Sequence, residues 1–394
     1  MNDLERQDSP ISPNLDGTGR PLLLLSWFVA HKLDPNSFVG AHVLLMVLIF
    51  GKGVTQYALL KRLLPERGLL AFLAAVLFVV YPADTGTADT RILNIHSAVL
   101  FFLLGVYLLV VCWQARNRWA AVGLGLAAAI AVTASLATYE AAYPLVIAAP
   151  LILLWLARQD VRRVIRRLAL TMGLWYAGPA VYGIYWLRTT VGALPPYQNQ
   201  LLLGGLRVEN AASQMGAALL HAYWQGFWGG WVGAVSLTGS TYTGLAVLAA
   251  LTIACCAWHV RHVVMPGAQS LGIAGAGLFV FFLGFLPYLP TSLRTDTWRV
   301  YLYASIGATC GVAALFSAHK AIGIGLISPL VVLGILSNLH EQQLFTDNSL
   351  AQERILEAIV KQAPQIHPGT LLLLLDDPAD MSASRTFWAN FYFE

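Results

Sequence analysis

HSAVLFFLLGVYLLVVCWQARNRWAAVGLGLAAAIAVTASLAT, residues 96–138, decides the fold of this chain. Two apolar runs, 96–113 and 119–138, are each close to the ~20 residues that a helix needs to cross a bilayer. Between them lie five residues, Gln114 to Arg118, with two arginines and no acid. This is a transmembrane hairpin with a positive turn, and Lys and Arg in short loops mark the cytoplasmic side.

Working outward, apolar runs recur at 38–60, 68–82, 141–157, 168–187, 241–259, 270–289, 300–317 and 321–338, which makes ten expected spans. The loops assigned to the cytoplasm are then 61–67, 114–118, 158–167, 260–269 and 318–320. They hold Lys61, Arg62, Arg67, Arg116, Arg118, Arg158, Arg162, Arg163, Arg166, Arg167, Arg261 and Lys320. Of the 20 acidic residues only Glu66 and Asp160 fall there. The opposite side holds 83–95, 139–140, 188–240, 290–299 and both ends, so ionic chemistry belongs to that outer side.

Composition agrees. Apolar residues are 57% of the chain and charged residues 11%, with mean hydropathy +0.64; a soluble domain carries about 25% charged residues. A soluble enzyme is excluded. The net charge of +4 suits a membrane surface of anionic headgroups, and no nucleic-acid partner is indicated. Cys112, Cys255, Cys256 and Cys310 all lie in apolar runs and read as small core residues without a disulfide framework. Residues 1–20 are polar and lack the apolar core of a signal peptide.

The expected architecture is an all-α polytopic bundle in three parts: an outer-side segment 1–37, a membrane domain 38–338, and an extracytoplasmic segment 339–394. Residues 21–30 read as an outer interfacial helix. The 188–240 loop, with Tyr197, Tyr223, Trp224, Phe227, Trp228 and Trp231, reads as interfacial or re-entrant. In the C-terminal segment, 349–362 reads as an amphipathic helix and 370–375 as a strand apolar on both faces, giving a short α/β piece. Such a strand needs sheet neighbours, and only 387–393 is available. Nothing upstream carries residues 1–37 across the membrane. The expectation is a chain cut at both ends and lacking a first helix.

Three outer constellations bear chemistry. The first is Tyr81-Pro82-Ala83-Asp84 with Asp89, Arg91, Asn94 and His96; two carboxylates, an arginine and a histidine suit a sugar or a phosphate, while a solvated, helix-capping loop is the plain alternative. The second is Thr138-Tyr139-Glu140, where a carboxylate at the membrane edge must be paired or wetted. The third is Arg294-Thr-Asp296-Thr-Trp298-Arg299-Val-Tyr301-Leu-Tyr303. Arginine binds phosphate through two parallel hydrogen bonds, so this stretch reads as a lipid-phosphate clamp or as an aromatic belt with arginine anchors. Lys52, inside the first span, reads as a lysine snorkelling to the cytoplasmic side, and His42 as a packed histidine. Asp376-Asp377 reads as a pair of turn acids rather than a metal site.

In order along the chain, Gly19-Arg20-Pro21-Leu22, Asn36, His42, Leu77-Phe78-Val79-Val80-Tyr81-Pro82, Ser135-Leu-Ala-Thr-Tyr139-Glu140 and Arg299-Val-Tyr301-Leu-Tyr303-Ala-Ser-Ile-Gly307 resemble the GT-C superfamily of polytopic glycosyltransferases. TMTC-like and protein-mannosyltransferase-like members are the nearest in pattern. The pattern covers roughly residues 19–340. Tyr81-Pro82 stands where the family has His-Pro, and Tyr139 where it has Lys.

The resemblance implies transfer of a sugar from a polyprenyl-phosphate donor to a glycan or protein acceptor on the extracytoplasmic side, within the lipid bilayer of a bacterial inner membrane. It places a general base in the first outer loop, which here leaves Asp3 or Asp8, or a residue upstream of Met1. Together with the three constellations above, this gives the donor phosphate to Arg294, Arg299 and Tyr301, and the outer cavity to Asp84, Asp89, Arg91, His96 and Glu140, as expectations from the residues themselves. The cofactor stays open, with a divalent cation as the candidate and no metal ligands named. The rival expectation is a transporter or lipid-carrier flippase, which requires ionisable groups or broken helices near the bilayer midplane. Lys52 is the one charge of that kind, and no internal repeat is evident. An inactive fragment is the third reading.

Overall fold

The computed structural model describes residues 20–84, 86, 89–157, 161–190, 211–261, 263, 266–295 and 299–362. These residues are all-α, with no strand among them. The expected strand at 370–375, its partner at 387–393, Asp376-Asp377, Asp3 and Asp8 lie outside them.

Each of the ten apolar segments falls on helix. Among the described residues six helical stretches are long and apolar enough to cross a membrane: Val39–Leu63, Leu93–Gln114, Arg118–Thr138, Glu140–Ala157, Gly267–Tyr288 and Lys320–Asp347. They make this a multi-pass membrane bundle. Three more apolar helices are shorter, Gly68–Val79, Thr243–His259 and Ala304–Phe316. The helix Val161–Thr190 is long enough, but Trp175, Tyr176, Pro179 and Tyr182 dilute its apolar character.

In chain order we label α1 Leu25–Leu33, α2 Val39–Leu63, α3 Gly68–Val79, α4 Leu93–Gln114, α5 Arg118–Thr138, α6 Tyr143–Ala148, α7 Leu151–Ala157 and α8 Val161–Thr190. There follow α9 Ala211–Trp224, α10 Gly230–Ala234, α11 Thr243–His259, α12 Gly267–Phe285, α13 Ala304–Phe316 and α14 Lys320–Gln362. A π turn, Gln225–Gly229, joins α9 to α10. α4 is the centre of the bundle, and two-thirds of its apolar window (67%) is buried. The expected span 321–338 and the amphipathic helix 349–362 form one continuous helix, α14.

The basic loops meet as the charge pattern requires. The Arg67 guanidinium donates to the Val263 carbonyl and to Gln269, and Lys320 Nζ donates to the Val260 carbonyl at 3.2 Å. Arg167 donates to the Cys112 carbonyl at 3.3 Å and to that of Ala115, closing the end of α4, and lies over the Trp113 ring. Cationic donors at helix C-termini also complement the helix dipole.

Two short helices shape the interior. α3 has 12 residues and α13 has 13, so each rises only about 18–20 Å across a hydrocarbon core of about 30 Å. The chain between α3 and α4 is folded into the bundle: Tyr81, Ala83, Asp84 and Asp89 are buried. So are Tyr288, Tyr301 and Tyr303 in the segment leading into α13. Irregular backbone at such depth is tolerated only where protein covers it or where it lines a cavity. Cover comes partly from the 188–240 region, which is helical over 211–237. Its Gly226, Phe227, Gly230 and Trp231 are buried, and Tyr81 donates to the Gly226 carbonyl at 2.8 Å. Phe227 and Trp231 of this segment are thus packed into the bundle, while Trp224 and Trp228 stay exposed.

Close helix contact depends on glycine at one crossing. A Cβ on Gly307 would lie 2.3 Å from the Gly277 carbonyl oxygen, and one on Gly277 would lie 2.8 Å from the Gly311 nitrogen. Small residues allow such backbone approach where the hydrophobic effect between helices is absent.

Three minor expectations change. His42 is exposed, not packed. Cys255 and Cys256 are exposed on α11, while Cys112 is buried. Lys52 does not snorkel: it is only 4% exposed, at the middle of α2.

Candidate functional site

The end of the bundle where α5 stops gathers three stretches that lie far apart in sequence. α5 ends at Thr138, and Tyr139 takes an extended conformation, φ −156° and ψ 110°. That kink turns Glu140 toward the incoming N-terminal segment, which is pinned by the Leu22 amide donating to the Ala137 carbonyl at 3.1 Å. Arg20 then meets Glu140 through two of its three guanidinium nitrogens: Nε donates to Oε2 at 2.6 Å, and Nη2 to Oε1. This is the bidentate geometry that gives arginine–carboxylate pairs their strength. The pair is partly buried, with side-chain exposures of 21% and 26%. Burial would lower the Arg20 pKa, but the Glu140 carboxylate outweighs it, so the guanidinium stays above its ordinary value.

Aromatic rings extend the pair inward. The Arg20 guanidinium lies 5.2 Å from the centre of the Tyr139 ring, within cation–π range. Tyr139 stacks on Tyr303 with centroids 6.5 Å apart and planes 5° apart. Its hydroxyl accepts from the Tyr288 hydroxyl at 3.0 Å. The Tyr303 hydroxyl is 3.2 Å from Ser135 Oγ, which itself donates to the Ala98 carbonyl. Arg299, partly buried in a 3-10 turn with Tyr301, is within electrostatic reach of Tyr288.

A second polar group lies deeper. Lys52 Nζ is 2.7 Å from His96 Nδ1 and 5.3 Å from the centre of the Phe78 ring. Asp84 lies within electrostatic reach of both Lys52 and Tyr81, and its Oδ1 accepts from the Gly86 amide at 3.0 Å.

The structure therefore divides the residues assigned to the site from sequence. Glu140 pairs with Arg20, and Arg299 joins the outer aromatic group. Tyr301 faces inward instead: its ring packs on Phe281 and Phe285, and its phenol is within electrostatic reach of Tyr81. Arg294 sits on its own turn, donating to the Thr291 carbonyl at 2.8 Å. Asp84 and His96 belong to the deeper group, with Asp89 buried in the same segment. Arg91 lies in the turn before α4, and its side chain is outside the described residues, as are Asp3 and Asp8. Among the described residues no group of three His, Cys, Asp or Glu side chains is placed to hold a metal ion.

Three participants escape a reading of outer-loop polarity: Arg20, Tyr288 and Lys52. A signal for Lys52 did exist, since Gln56 follows four residues later and puts two polar groups on one face of an apolar helix. Gln56 Nε2 donates to Thr309 Oγ1 at 3.2 Å.

No family model, curated protein or solved structure matches this chain.

Proposed function

We propose that the chain is a membrane glycosyltransferase that moves a sugar from a polyprenyl-phosphate donor to an acceptor on the extracytoplasmic side. One observation carries the reading. Arg20, Tyr139-Glu140, and Arg299 with Tyr303 come from three of the short motifs that resemble GT-C enzymes, and they converge on one cluster. In this reading the acceptor hydroxyl attacks the anomeric carbon, the bond from that carbon to the phosphate oxygen breaks, and polyprenyl phosphate leaves. Arg299 meets the charge developing on that phosphate. The Arg20–Glu140 pair holds the end of the first outer loop, from which the base would come. The Tyr288 and Tyr139 hydroxyls offer hydrogen bonds to sugar or phosphate.

The test is turnover of a radiolabelled polyprenyl-phosphate hexose by the full chain in nanodiscs. Arg299→Ala should lower turnover by about 100-fold or more, the scale of losing one charge-stabilising donor. Arg299→Lys should recover part of it. Unchanged turnover in Arg299→Ala would remove the reading.

A second reading, a transporter or lipid-carrier flippase, is favoured by one specific observation. Lys52, His96 and Asp84 are buried together beside helices that stop partway across the bundle, as substrate sites of transporters are built. Movement of labelled lipid carrier across proteoliposomes without bond cleavage would favour it over transfer.

A further inference from the structure

We propose that Lys52, His96 and Asp84 form a proton-binding site inside the membrane domain, holding one titratable proton. The inference rests on the deeper group alone and holds under either reading of function.

Depth comes first. Lys52 is the fourteenth of the 25 residues of α2, so it lies about 20 Å from the outer end of that helix and about 17 Å from the inner end. A lysine side chain reaches neither aqueous face from there. Lys52 and Asp84 are each 4% exposed and His96 is fully buried. Ionisable groups at such depth are rare and mark ion or proton paths.

The hydrogen-bond inventory comes next. An ammonium group only donates, so at 2.7 Å the Nδ1 of a neutral His96 must accept. The ring hydrogen then resides on the buried Nε2, on a ring that the Gly86 backbone faces. A Lys–Asp pair would already be neutral without the histidine. What the histidine adds is a base in direct contact with the ammonium, and that is a proton-transfer pair. Two cations this close in a poorly hydrated site cannot both persist, so lysine and histidine share a single proton. Asp84 supplies the compensating charge.

Among the described residues further groups lie close by. Asp84 faces Lys52 from the segment after α3, with Tyr81 in reach of Asp84 and Asp89 buried in the same segment, and the Phe78 ring closes the α3 side. Tyr301 faces Tyr81 from the segment before α13. One turn along α2, Gln56 contacts Thr309 and Cys310 of α13, and its Oε1 makes no hydrogen bond among the described residues. Along α2 the polar groups Gln56 and Lys52 thus follow one another, and His96 and Asp84 both lie beside Lys52.

The experiment is a pH titration of the full chain, labelled with 15N-histidine in detergent micelles and followed by NMR. His96 is assigned among the nine histidines by the signal lost in His96→Gln, or in His96→Asn should the first not fold. At neutral pH its Nδ1 should appear as an unprotonated, hydrogen-bonded nitrogen. Between about pH 4 and about pH 10 its signals should pass through a one-proton step. Asp84→Asn should move that step by about one pH unit or more, a tenfold change in proton affinity. Signals that stay flat across this range, or a step that Asp84→Asn leaves in place, would overturn the proposal and leave a static polar staple. Should Asp84→Asn not fold, the wild-type step alone decides, its presence supporting the site and its absence overturning it.

Discussion

Glu140 and Lys52 place charge at two depths, and the two should respond differently to mutation. Glu140→Gln keeps the shape of the Arg20 contact and removes its charge. The pair is partly buried, so its loss falls between the near-zero value of exposed pairs and the 3–5 kcal/mol of buried ones, at about 1–2 kcal/mol. Unfolding of the two single variants and the Arg20→Gln/Glu140→Gln double variant in detergent should show a coupling of that size. Additive effects would mean that the contact does not hold the N-terminal segment. Lys52→Met removes a buried counter-charge from Asp84 and should cost about 3–5 kcal/mol. Adding Asp84→Asn to it should recover part of the loss, because the carboxylate that faces Lys52 is removed together with the lysine. A Lys52→Met variant as stable as wild type would show that Asp84 is not its counter-charge.

Among the helices, the crossing of α12 and α13 makes the sharpest stability prediction. At Gly307 an added methyl meets only backbone, at 2.3 Å from the Gly277 oxygen and the Phe281 nitrogen, and backbone cannot yield as a side chain can. Gly307→Ala should therefore cost about 3 kcal/mol or more. Gly275→Ala, in the same helix pair but with nothing within 4 Å of its Cβ, should stabilise by about 0.5–1 kcal/mol through helix propensity. Thermal unfolding of both variants checks the contrast, and equal effects would refute the close approach. This scale also shows what hydropathy can reveal. The run 96–138 contains its two helices almost to the residue, because length, apolarity and a charged turn are local properties. Hydropathy could not show that α3 stops at Val79 and that the chain then folds inward. Tyr81, Pro82 and Ala83 are as apolar as a helix end, and only packing against Gly226 and Gly230 distinguishes the two outcomes. Nor could it pair Arg20 with Glu140, 120 residues away, since such contacts leave no periodic trace. Lys52 was misjudged because a lysine inside an apolar run has the same local sequence whether it snorkels or finds a buried histidine.

For the molecule as a whole, charge sidedness and helix direction predict one topology. α14 has 43 residues, about 65 Å of helix, roughly twice the hydrocarbon thickness. Its C-terminal half must project from the membrane on the side opposite Lys320. With the native cysteines replaced by alanine, single cysteines at the exposed positions Arg62 and Arg116 should be labelled only from the cytoplasmic side. A cysteine at Glu353, also exposed, should be labelled only from the other side, and labelling of all three from one side would break the topology. The outer ends of α5 and α12 would then place Tyr139, Glu140 and Tyr288 where a lipid-linked donor presents its phosphate. The most direct measurement is photo-crosslinking of the full chain in nanodiscs with a polyprenyl-phosphate probe whose photoreactive group sits beside the phosphate. The account predicts saturable labelling, displaced by unlabelled polyprenyl phosphate and confined to peptides containing Tyr139–Tyr143 or Arg299–Tyr303. Labelling that is absent, not displaced, or confined to the cytoplasmic loops would contradict it.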